Sequence, residues 1–188
     1  RVRLIKDLPK ECIIMTTWDN GRRYRLGKES VECGVDYSLR FADPSEKYRI
    51  EADAVKKAGM RGVANANSSG FTWDFGMIPY EPFPYQWQRR HDNMKKDYEE
   101  RGLCGVMESH HYGFYPSFIS ELAKWNFTVM ENKPEDVLGM ILERRYGNKE
   151  IMKKALKLWS EGIDFYIAVN CDQYGPFRIG PAYPINFT

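Results

Sequence analysis

Apolar positions in this chain gather into short runs separated by longer mixed stretches. Residues 12–18, 32–39, 61–67, 103–109 and 164–170 are β-prone and bounded by charged or turn-forming residues, which predicts five strands. Helical patterns fill the longer gaps. Residues 43–58 read as a helix with Asp43 as N-cap, Pro44 in the first turn, Glu46 closing a capping box and Gly59 as the stop. Residues 83–101 read as a second helix, with Trp87, His91, Met94 and Tyr98 on one face and Arg89, Arg90, Lys95, Lys96, Glu99 and Glu100 on a solvated one. Gly102 ends it.

Strand and helix alternating at this spacing imply crossover connections and a parallel sheet. Ile13, Ile14 and Met15 are apolar at successive positions, as are Gly105, Val106 and Met107. Strands covered on both faces read this way, in barrels and doubly wound sheets alike. After Ser109 the pattern turns to helix upon helix. Residues 116–125, 134–146 and 149–162 carry apolar stripes, the last through Ile151, Ala155, Leu158 and Trp159. The tail, 173–188, holds prolines and glycines without a period and reads as an extended segment.

Composition narrows the function classes. The chain has 188 residues, is 43% apolar and carries a net charge of +2 with no block of one sign. It can bury a core, and nothing in it favours nucleic acid or an anionic membrane as a partner. No stretch approaches the roughly 20 apolar residues of a membrane span. The cysteines (Cys12, Cys33, Cys104 and Cys171) show no C-x-x-C spacing, so neither a structural zinc nor a disulfide framework is expected. Those in strand-like runs read as small buried thiols. Because the chain opens at Arg1 without Met or a secretory core, we expect a piece of a longer protein.

Parallel α/β folds bind their ligands at the carboxyl ends of the strands. Here those ends are polar and aromatic: Trp18 and Asp19, Asp36 and Tyr37, Asn65 and Asn67 with Trp73 following, then Glu108, His110 and Tyr112. Carboxylates and amides hydrogen-bond pairs of hydroxyls, and flat aromatic faces cover the C–H faces of a pyranose. The expected ligand is therefore an oligosaccharide or glycoside. Glu108 is the candidate catalytic residue, as acid, base or nucleophile in glycoside cleavage, and substrate binding is its alternative role. Each other residue has an ordinary alternative, such as a turn at Asp19, Asn20 and Gly21. His110 and His111 are adjacent strand residues facing opposite ways, so no shared metal is expected. His91, on an apolar helix face, reads as a packing histidine. There is no basic glycine-rich phosphate loop and no Schiff-base lysine at a strand end, so no cofactor is implied.

Residues 98–166 add a resemblance. The strand from Gly102 to Glu108 leads to Trp125 and Asn126, then Asn132, Pro134 and Asp136, then Tyr146 and Gly147, then Trp159 on a helix. This resembles the end of the catalytic barrel in hexosaminidase-like glycoside hydrolases, where the last strand and helix lead into a helical appendage. The resemblance implies a partial (β/α) barrel of TIM type, four to five strands over residues 1–126, then a helical appendage and tail over 127–188. Residues 103–109 would be its eighth strand. The general acid of such enzymes, an Asp-Glu pair after the fourth strand, has no counterpart here, so the resemblance carries over no catalytic residue and the isolated chain should be inactive.

The expected function is thus carbohydrate binding and cleavage as part of a glycoside hydrolase. The alternatives are a non-catalytic sugar-binding module and a barrel enzyme of another chemistry. Exposed strand edges at 12–18 and 103–109 favour self-association, as a homodimer.

Overall fold

Three parallel strands organise the protein in the computed structural model, which describes residues 1–26, 28–33, 39–66, 83–107, 117–128, 131 and 134–165. They are β1 (Ile13–Thr17), β4 (Arg61–Asn65) and β5 (Leu103–Val106), hydrogen-bonded in the order β1-β4-β5. Helix α2 (Glu46–Lys57) packs on β1 and β4, and α3 (Pro84–Arg101) packs on β5. A short helix, α1 (Val2–Asp7), lies against α2.

This architecture overturns the partial barrel. Among the described residues only these three strands are parallel. The run at 32–39 supplies the end of an antiparallel hairpin, in which β2 (Arg22–Leu26) pairs with β3 (Glu29–Cys33). The turn at Asn20 and Gly21, where Gly21 has φ +82°, sends the chain into that hairpin instead of a crossover helix. Leu39–Phe41 is a 3-10 turn. Likewise the run at 164–170 begins in a second 3-10 turn, Ile163–Phe165, with residues 166–170 outside those described. β-prone composition fits an isolated hairpin as well as a sheet strand, so it did not distinguish them.

The sheet is clothed on one face. Trp18, Ala64, Ala66 and Leu103 pack with Tyr48, Ala52 and Met94 of α2 and α3 into the main core. On the opposite face Ile13 is 53% and Met15 55% exposed, so the successive apolar residues of β1 are not buried on both sides. A bulge between Gly62 and Val63 shifts the register from Gly62 opposite Leu103 to Val63 opposite Gly105. Cys104, skipped by that shift, is an exposed free thiol with its Sγ 3.1 Å from the Gly62 carbonyl oxygen, and not a buried one.

The second core joins α4 (Phe118–Phe127), α5 (Val137–Tyr146) and α6 (Lys149–Gly162) through Leu122, Val137, Leu138, Ile141, Leu142 and Leu156. Helix α6 buries Leu156 and Ser160, whereas Ile151, Leu158 and Trp159 face solvent. The stripe visible in its sequence is therefore not the face it packs.

The cap of α2 also lies elsewhere than expected. Ser45, two residues beyond Asp43, is the N-cap, its hydroxyl accepting from the Tyr48 amide at 3.1 Å. Asp43 instead pairs with Arg89 and accepts from Asn93 at 2.8 Å. Glu46 is simply the first helical residue. We expect Ser45→Ala to cost about 1 kcal/mol in urea unfolding, and Glu46→Ala a few tenths. Equal losses would show that Ser45 is not the cap.

Three carboxyls sit below their ordinary range. Burial pushes Glu121 up, but hydrogen bonds from Arg145 and Arg144 lower it further. Asp43 follows the same pattern, with burial opposed by Arg89 and Asn93. Asp136 is lowered mainly by Lys153, with the Gly139 amide adding to it. A group depressed on folding contributes stability that is complete above its unfolded pKa and lost as the pH falls through its folded one. Stability should therefore hold from neutrality to about pH 5 and fall below about pH 4, where free carboxyls titrate. Urea midpoints measured across that range check this, and Glu121→Gln should make the decline shallower.

Candidate functional site

The three parallel strands bring their carboxyl ends side by side, with Thr17 opposite Asn65 and Val106 opposite Ala64. Of the residues singled out there, Trp18, Asp19 and Asn65 are described. Asp36, Tyr37, Asn67, Trp73, Glu108, His110 and Tyr112 lie outside the described residues.

Trp18 offers no stacking surface to a ligand, because it is fully buried. Its ring lies 4.8 Å from that of Tyr48, and its indole N–H donates to the Ala42 carbonyl at 3.3 Å. Its backbone amide donates to Asn65 and its carbonyl accepts from Ser45, so it ties β1 to β4 and to the cap of α2. Asp19, 1% exposed, accepts from the Arg90 guanidinium at 3.2 Å. Arg90 also donates to the Phe41 carbonyl at 2.9 Å and is fully buried, against its expected place on a solvated face. The helical period alone assigns Arg90 to the polar side. Among the described residues, Asp19 and the turn at 39–41 pack against α3 and help to enclose it.

Asn65, half-buried at the end of the central strand, has a side-chain carbonyl oxygen shielded from solvent and without a hydrogen-bond partner. His91 is a core histidine. Its Nδ1 lies 2.9 Å from the Asn126 amide nitrogen, and its ring meets Phe127 edge-on at 4.9 Å.

Among the described residues, a cleft of about 520 Å³ runs along the outer edge of β5 between the second half of α3 and the end of α4. Its walls hold Tyr98, 69% exposed, and Phe127, 40% exposed, with Glu99, Lys95 and Thr128 beside them. Glu99 forms no ion pair among the described residues. β5 has no strand beyond it among those residues, so backbone groups of Leu103–Val106 line the same cleft. Sequence reasoning missed this surface by reading Tyr98 as the fourth member of the packing face. The buried stripe of α3 runs on through Asp97, and Tyr98 lies to one side of it.

Burial of Tyr48, reinforced by the negative charge of Asp97, pushes its phenol well above the ordinary range, so it remains neutral in the folded protein. Among the described residues no group of three or more His, Cys, Asp or Glu side chains could hold a metal ion, and no helix is long and apolar enough to cross a membrane.

Removing one partner of the Asp19–Arg90 pair strands a buried charge. Arg90→Met should cost about 3–5 kcal/mol in chemical unfolding, and combining it with Asp19→Leu should recover part of that loss. Additive losses would mean that the two side chains are not coupled.

No protein-family model, no curated protein and no solved structure matches the chain.

Proposed function

We propose that this protein binds a carbohydrate in the cleft along β5. The observation that carries the reading is the company of Tyr98 and Phe127, two exposed aromatic side chains, with the carboxylate of Glu99 and the edge of β5, which has no partner strand among the described residues. A sugar offers apolar C–H faces to such rings and hydroxyls to such a carboxylate and to backbone N–H and C=O groups. The cleft's volume, about 520 Å³, suits a ligand of one to a few rings.

Cleavage is the further step of this reading. Glu108 follows β5 directly after Met107, whose amide donates to the Ala64 carbonyl at 2.9 Å. A carboxyl at that point of the sequence is the candidate acid, base or nucleophile for a glycosidic bond. A binding module without turnover is favoured by one observation: Asp19, a candidate second carboxylate, is committed to Arg90. Glycoside hydrolysis ordinarily needs two free carboxyl groups.

Titration calorimetry with a panel of mono- and oligosaccharides tests the binding. We expect saturable binding of at least one sugar, weakened about tenfold or more by Tyr98→Ala. No heat with any sugar, or equal affinity in that variant, would overturn the proposed site. Turnover of aryl glycosides that is lost in Glu108→Gln would add hydrolysis to the reading. Sugar binding without turnover would leave a binding module.

A further inference from the structure

At the amino ends of β1 and β4 a second cleft of about 600 Å³ opens between α1 and α2. One wall is a single face of α2, with Ile50, Asp53, Ala54, Lys57 and Ala58 recurring at helical spacing. The other is Val2 and Lys6 of α1 with Leu8 and Lys10 from the segment leading into β1, and Met60 closes the interior. Val2, Leu8, Ala54, Ala58 and Met60 belong to one hydrophobic cluster, so the floor is apolar. Ile50, 52% exposed, leaves apolar surface open on the wall.

The charges around that floor are one-sided. Lys6, Lys10 and Lys57 line the cleft, and none makes an ion pair or side-chain hydrogen bond with any described residue. The lining carboxylate, Asp53, is paired with Arg101 Nε at 3.2 Å. Lys57 and Lys6 each sit in the last turn of a helix, where the backbone dipole favours a cation. Lys10 has no such role. A purely apolar ligand would leave three ammonium groups uncompensated, and a small inorganic anion would leave the apolar floor and Ile50 wet.

We propose that this cleft binds an amphiphilic anion, a fatty-acid-type carboxylate whose chain lies on the Ile50, Ala54 and Met60 surface and whose head group meets the lysines. The volume lies within the range of small-molecule sites. The head group remains partly hydrated among exposed lysines, so the attraction is screened by salt.

Octanoate, titrated calorimetrically into the whole chain beside 1-octanol, is the test. We expect saturable octanoate binding that weakens about tenfold in the Lys6→Gln, Lys10→Gln, Lys57→Gln variant and on raising the salt, with 1-octanol binding the native protein more weakly than octanoate. Ile50→Asp, at an exposed position that leaves the core intact, should weaken octanoate comparably. Circular dichroism of each variant establishes that it is folded. No saturable octanoate binding, or binding unchanged in both the lysine and the Ile50 variants, overturns the proposal. Because no residue lines both clefts, Tyr98→Ala should leave octanoate binding unaltered, which separates failure here from failure there.

Discussion

The buried charge pair between Asp19 and Arg90 constrains much of the fold around it. A guanidinium and a carboxylate both withdrawn from water are tolerable only when each is held against the other and their remaining hydrogen-bonding groups are used. Asp19 must therefore leave β1 at one angle, α3 must enter at one rotation, and the turn at 39–41 must bring the Phe41 carbonyl to Arg90. Trp18, the residue before Asp19, is fixed by the same geometry. It fills the core beside Tyr48 and joins the first two parallel strands to the start of α2.

How much of this was legible in the sequence depends on what each signal measures. The helix over α3 and its glycine stop were readable because a long 3.6-residue pattern and a left-handed terminator agree. Strands β1, β4 and β5 were readable as short apolar runs. The number of parallel strands was not. The run near residue 33 has the same composition as a true sheet strand, and the turn at Asn20 and Gly21 commits it to a hairpin with β2 instead. The cap at Ser45 was obscured because Asp43 also fits the capping pattern, and Arg89 and Asn93 claim its carboxylate.

The candidate site was less legible than the fold. Trp18 and Asp19 carry the residue types that a sugar site needs, and both are consumed by the interior. Tyr98 carries a packing signal and lies in the open. Residue type and period describe what a side chain is able to do. Burial decides what remains available to a ligand, and it is set by elements far away in sequence, as the exposed stripe of α6 also illustrates.

The pairing of β1 with β4 places Ile13 opposite Arg61, with the hairpin and all of α2 lying between them in sequence. That wide loop must close before the central contact of the sheet yields any stabilisation. The helical hairpin of α5 and α6, whose partners are neighbours in sequence, carries no such entropic barrier. The chain thus joins a quickly forming helical part to a slower sheet. The hydrogen bond from Trp18 to Asn65 is one that the chain can make only after that closure, however well its individual helices form.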